Sequence, residues 1–368
     1  MMNFKINLKD TIKMPVLFIT LFFYLLCLSA PALSAAEKPD FEKLLEQGLH
    51  SKKKINKPVD KVVVLFPQSL GLVYLFGIQK SVCAMPLSKT KISMHQGGFF
   101  DQLDREAVNK KDCGFPGKPD IELISAIKPD LIISPTFQIK ADLFFERLKI
   151  PIFRVHGTFS DYEQWLSAVE KFGELFKAQQ KAKEYADYFK KTVELTKADT
   201  CGVIVPKKVA HIVCSANKYI ASGKKSRFVK WFLKNMGCEV FDYPQSDVAE
   251  IALAVEDLVK FDPEYVFIDS VTHASGAKKI ELKEEFWKKL KAYKKNNIYF
   301  VPTDDNSCFL TSRFFMPASP LGILWAAKIL YPEKFEKIDI EKETSNFYKH
   351  FFNLDYDMMI KANKNIKL

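Results

Sequence analysis

Only five arginines occur in this 368-residue chain, and one of them begins the run Arg313-Phe314-Phe315-Met316. A guanidinium presents a rigid fork of donors that matches carboxylate or catecholate oxygens, and aromatic rings beside it cover the apolar part of a bound complex. Histidines are the other candidates for chemistry. His95 lies in Met94-His95-Gln96-Gly97-Gly98, where paired glycines suit a loop at the rim of a site, while His156 and His273 stand alone. No HxH, HxxxH or CxxC spacing occurs, so nothing in the sequence builds a ready-made site for a bare metal ion. A metal handled by this chain would arrive already chelated. Catalytic patterns are missing too: there is no GxSxG, no P-loop and no HExxH. Ser222-Gly223-Lys224-Lys225-Ser226 has the wrong glycine spacing for a phosphate loop and reads as a turn. The residues point to binding rather than to bond-making.

These side chains need a frame, and the apolar periodicity supplies one. Strands are expected at 61–67, 81–85, 131–134 and 150–155, alternating with helices at 69–78, capped by Ser69 and stopped by Gly77, at 121–127 and at 141–148. From Asp161 to about Lys197 the pattern turns helical, with Gly173 marking a break. The rhythm then resumes: strands at 208–214, 265–269 and 298–301, and helices at 228–236, 256–261, 285–293 and 322–330. Strands alternating with helices imply parallel sheets covered on both faces. The expected fold is therefore α/β: two Rossmann-like lobes with parallel sheets joined by one long α-helix. The boundaries are a lead-in at 37–60, a first lobe at 61–158, a linking helix at 159–200 and a second lobe at 201–368. Ligands of such lobes sit beyond the carboxyl ends of strands. That rule nominates Phe137 and His156 in the first lobe, and Tyr219, His273 and the 304–316 loop with Arg313 and Phe314 in the second.

The front of the chain reads as a secretory leader. Lys5, Lys9 and Lys13 precede an apolar run from Met14 to Leu28 and small residues up to Ala36, where cleavage is expected. Leu26 stands before Cys27 where a lipidation site has a small residue, so no lipid anchor is expected. Six cysteines follow the leader, and export permits disulfides among them, with 15 pairings open. The net charge is +11, but the lysines are scattered and arginine is scarce, which argues against a nucleic-acid partner.

One phrase recurs. DIELISAIKPDLII at 120–133 and VEDLVKFDPEYVFI at 255–268 each give a Glu-bearing helix, a Pro turn and a buried strand. With VVVLFPQSLGLVYLFGI, LKIPIFRV, YIASGKKSRFVKWFLKNMGCEVF, FWKKLKAYKKNNIYFVP and SPLGILWAAKILYP in the same order, the chain resembles the periplasmic binding proteins of ABC importers for ferric siderophores, haem and cobalamin. The resemblance covers roughly residues 61–352. It implies a monomer without a tightly bound cofactor, whose cargo is a metal chelate held between the lobes: a ferric siderophore first, haem or cobalamin next. It also implies an inner-membrane permease dimer with its ATPase as partner, met by one surface glutamate per lobe, Glu122 and Glu256. For haem the axial candidates are His95, His156 and Tyr219. Arg313, Phe314, Tyr219, His156, Phe137 and His95 form the expected ligand set. The rival readings are an exported metal-chelatase-like enzyme and a binding or adhesin protein of the same fold that plays no part in transport.

Overall fold

Short apolar runs closed by Pro, Lys or Gly become buried strands, and the amphipathic segments between them become the helices that cover the sheets. A computed structural model describes residues 59–87, 99–115, 117–135, 139–155, 162–200, 205–215, 218–222, 228–243, 250–270, 285–303, 314 and 316–359. The first lobe runs β1 (Val62–Val64), α1 (Leu70–Phe76), β2 (Val82–Met85), α2 (Phe99–Leu103), the two-residue strands β3 (Lys111–Asp112), β4 (Gly114–Phe115) and β5 (Lys118–Pro119), then α3 (Ile121–Ile127), β6 (Leu131–Pro135), α4 (Ile139–Arg147) and β7 (Ile152–Val155). Its five-stranded sheet has the order β3-β2-β1-β6-β7 and every pairing in it is parallel. Gly77 ends α1 in the left-handed region, at φ 69°, as a glycine there permits. Ser69 makes no capping bond; a 3-10 turn at Pro67–Ser69 leads into the helix instead.

Two helices fill the expected link, α5 (Tyr162–Leu175) and α6 (Gln179–Thr200). They fold back on each other as a hairpin. Tyr162 stacks on Phe189 with ring centroids 5.8 Å apart, and Trp165 Nε1 donates to Tyr185 Oη at 3.0 Å. The link expected over 159–200 is thus two helices, and the break falls at Phe176–Ala178, just beyond the expected Gly173. Gly173 is there for closeness: a Cβ on it would lie 2.6 Å from the Cβ of Ala182. Gly173→Ala should destabilise the protein by about 1–3 kcal/mol through overpacking, seen as a lower urea midpoint at unchanged slope.

The second lobe runs β8 (Lys208–Ser215), β9 (Lys218–Ser222), α7 (Phe228–Asn235), β10 (Glu239–Val240), β11 (Glu250–Ala252), α8 (Val255–Phe261), β12 (Tyr265–Ser270), α9 (Lys291–Lys294), β13 (Ile298–Phe300), α10 (Ser319–Leu330) and α11 (Ile340–Phe352). The order is β11-β9-β8-β12-β13, with β10 also on β8. Here β10, β8, β12 and β13 are parallel, while β9 pairs antiparallel with both β8 and β11. The helix expected at 285–293 is a 3-10 turn at Trp287–Lys289 and the short α9, with Leu290 extended between them. Trp287, Leu290 and Ala292 all reach the core, which this kinked path allows.

One apolar cluster runs through both lobes, joining Val62 of β1, Phe172 of α5, Phe189 of α6, Val209 of β8, Phe267 of β12 and Phe351 of α11. Smaller clusters cover the other faces, around Ile124 and Phe145 in the first lobe and Leu258 and Trp287 in the second. Tyr185 of α6 ties the link to the second lobe by donating to the Pro317 carbonyl at 2.7 Å. The last helix does not stay with the second sheet, as the boundary 201–368 had it. Phe352 meets Phe99 at 6.1 Å, and Gln102 exchanges two bonds with the Asp355 backbone. Cys83, Cys113 and Cys238 are free thiols; Cys201 and Cys308 lie outside the described residues. The parallel register Met85↔Asp112 sets Cys113 about 10 Å along the sheet from Cys83, too far for a disulfide.

Candidate functional site

The two recurring phrases fold into the same unit. In the first lobe Asp120 Oδ1 accepts from Leu123 N at 2.9 Å and starts α3, Lys128 closes it in the left-handed region at φ 51°, and Pro129 leads into β6. In the second, Tyr243 Oη accepts from Ala254 N at 3.0 Å at the start of α8, Asp262 closes it at φ 50°, and Pro263 leads into β12. Each helix then feeds the strand that lies beside the first strand of its sheet, β6 beside β1 and β12 beside β8. Glu122 and Glu256 are both the second residue of their helix, and both are exposed. Neither is the group that bonds the start of its helix.

The carboxyl ends of β6 and β7 carry a buried polar network. Ser134 Oγ donates to Asp142 Oδ1 at 2.6 Å, Arg154 Nε donates to Asp142 Oδ2 at 2.7 Å, and Arg154 Nη2 donates to Glu146 Oε1 at 2.9 Å. The Asp142 side chain is fully enclosed and that of Arg154 is 12% exposed. Burial raises the Asp142 pKa; the bonds from Ser134 and Arg154 work against that.

Of the expected ligand residues, Arg313, His156, Phe137 and His95, together with His273, lie outside the described residues. Tyr219 stands on β9, half-buried, with its ring edge on Phe286 and Trp287 at 5.9 and 5.4 Å. Phe314 is a correction. It is 5% exposed and its ring packs against His211, Phe232, Phe267 and Trp325, so it fills the core of the second lobe and is not free to cover a ligand. The structure adds His211 of β8, a fully buried imidazole. Neither of its nitrogens has a hydrogen-bond partner among the described residues, and burial alone lowers its pKa to about 4. An open groove of about 910 Å³, lined by Tyr188, Glu343, Phe347 and His350, belongs to α6 and α11 rather than to strand ends. No group of acids, histidines and cysteines able to hold a metal ion occurs among the described residues.

A protein family described as "Periplasmic binding protein" matches residues 62–304. The molybdate-binding protein MolA of Haemophilus influenzae is 21% identical over 340 residues, covering 86% of this chain and 92% of its own. The Fe(3+)-citrate-binding protein YfmC of Bacillus subtilis is 25% identical over 254 residues, covering 66% and 73%. The crystal structure of Helicobacter pylori CeuE with Ni(II) bound superposes with a TM-score of 0.65 at 19% identity, covering 84% of this chain and 96% of that one. At that identity the likeness is one of fold: two α/β lobes with parallel sheets.

Proposed function

We propose a function from one premise: the chain belongs to the periplasmic binding protein family. It is a binding protein and not an enzyme, the solute-binding component of an ABC importer, and its partner is the importer's permease. The finer reading is that it captures a metal chelate between its lobes and presents it to a permease dimer with its ATPase. The observation that carries this is the matched pair of Glu-bearing helices, one per lobe, each built on the same helix–Pro–strand unit. Two carboxylates on separate lobes read the position of both lobes at once, and Arg–carboxylate pairing supplies orientation as well as attraction.

A metal complex as cargo is supported by relatives whose names specify molybdate and ferric citrate, and by a related fold seen with nickel. A ferric siderophore or ferric citrate heads the candidates. Haem and cobalamin gain no support from these relatives. Arg313 is the side chain that suits an oxyanion-rich chelate. The protein works in the periplasm as a monomer after cleavage near Ala36; no helix among the described residues is long and apolar enough to cross a membrane. Purification of the exported protein from its source, followed by an absorption spectrum and elemental analysis, tests the cargo. A charge-transfer band with bound iron is expected. A Soret band or a corrin spectrum would replace the ferric cargo with haem or cobalamin. No metal in the purified protein, and no binding of added ferric citrate or molybdate, would sink the chelate reading.

A further inference from the structure

The geometry points to Ser134, Asp142, Arg154 and Glu146 as a positioning network that holds the first lobe's end of the ligand site. The inference rests on the reading that cargo lies beyond the carboxyl ends of the strands. Ser134 is the penultimate residue of β6 and Arg154 the penultimate residue of β7, and the two are directly paired across the sheet. Asp142 stands one turn inside α4, the helix that returns from β6 to β7. Its two carboxylate oxygens reach one strand end each, Oδ1 to Ser134 and Oδ2 to Arg154. Arg154 then spans to Glu146, one turn further along the same helix. Four polar groups thus tie two strand ends and one helix into a single hydrogen-bonded piece.

Such a piece is costly to build without a purpose. A buried carboxylate loses hydration, and an apolar trio of similar volume would hold the same elements as well or better. Charged bonds add fixed direction and spacing, which a greasy contact does not. The chain leaves β6 two residues before Phe137 and leaves β7 one residue before His156, so the network fixes both points of departure. Arg154 spends its fork on two carboxylates of its own lobe. It is therefore a positioning residue and not one that grips the cargo.

Arg154→Lys and Ser134→Ala separate this from plain stability. Lysine keeps a charge beside Asp142 but cannot bridge Asp142 and Glu146 with a planar fork. Amide hydrogen exchange is followed in the exported protein, in peptides covering 131–140 and 152–162, beside the urea midpoint and the Kd for ferric citrate and for molybdate. Both variants are expected to exchange roughly tenfold faster in those peptides, with the urea midpoint lowered by no more than that tenfold accounts for, and to bind whichever probe the wild type binds about tenfold more weakly. Exchange unchanged in those peptides, or raised equally across the whole chain, overturns the positioning role. So does an affinity that returns to the wild-type value when sucrose restores the urea midpoint, since that marks a merely structural network. If the local exchange rises as expected but the wild type binds neither probe, the positioning network stands and the choice of cargo fails.

Discussion

Uptake of the cargo should fall to background when Glu122→Ala is combined with Glu256→Ala, while the affinity of the isolated protein for its cargo changes by less than about twofold. Both side chains are exposed in the first turn of a short helix, and the cap of each helix is supplied by another group, Asp120 in α3 and Tyr243 in α8. Removing the carboxylates forfeits only their interaction with the helix dipole, about 0.3–1 kcal/mol each, too little to unfold either lobe. The cost appears at the permease. Truncating one partner of an interfacial charge pair typically costs about 2–5 kcal/mol, so each single variant should weaken docking by roughly 30-fold or more. The double variant should lose both proposed docking contacts at once. Glu→Gln at the same positions keeps shape and removes charge, and it should behave like Ala if arginines are the partners. Uptake by vesicles carrying the permease reports docking, and equilibrium titration of the purified protein reports cargo binding. Undiminished uptake by the double variant would remove these glutamates from the docking surface.

The repeated phrase was readable because its signals are local. A Glu-bearing amphipathic turn, a Pro two residues past the helix and three or four apolar residues fix helix, stop and buried strand within 14 positions, and both copies fold as their sequence states. Strands such as β1, β6 and β12 were readable for the same reason. The strands β3, β4, β5, β10 and β11 were not, since two or three residues such as Lys111–Asp112 carry no periodicity and exist only because a neighbour pairs with them. α11 was missed because its polar opening, Ile340-Glu341-Lys342-Glu343, hides a C-terminal half of Phe347, Tyr348, Phe351 and Phe352 that is buried by distant partners such as Phe99 and Tyr185. The Ser134–Asp142–Arg154 network had no sequence signal at all. Its members are ordinary residues 8 and 12 positions apart, and only the β6–α4–β7 crossover brings them together. Phe314 misled in the opposite direction: beside Arg313 it read as a cleft aromatic, but a phenylalanine next to an arginine is as good a core anchor as a ligand cover, and His211, Phe232 and Phe267 claim it.

Acid should weaken the second lobe through one side chain, and His211→Leu should abolish that part of the loss. His211 lies at the centre of β8, paired with Phe267 of β12, with its ring 5.5 Å from that of Phe314. Its two nitrogens find no partner among the described residues, so protonation would place a bare charge among aromatic rings. Burial lowers the folded-state pKa from 6.5 to about 4. An unfolded chain therefore binds a proton in the interval between those values while the folded chain does not, and stability must rise with pH across it. The contribution of this group is whole above pH 6.5, is lost as pH falls towards 4, and is constant below. The span corresponds to about 3 kcal/mol, a large share of the 5–15 kcal/mol typical of a domain. His211→Leu removes both the proton site and two unsatisfied polar atoms, so at neutral pH it should be neutral or slightly stabilising. His211→Gln keeps a buried polar group without a titrating one. It should be less stable than the wild type at pH 7, and its difference from His211→Leu should not change with pH. Urea unfolding at pH 7 and pH 4 measures this as the change in the wild-type-to-variant gap, which cancels the carboxylates common to all three proteins. A gap between wild type and His211→Leu that stays the same at both pH values would mean that the imidazole finds a partner or water when it charges, and that the core around Phe314 opens more readily than its packing indicates.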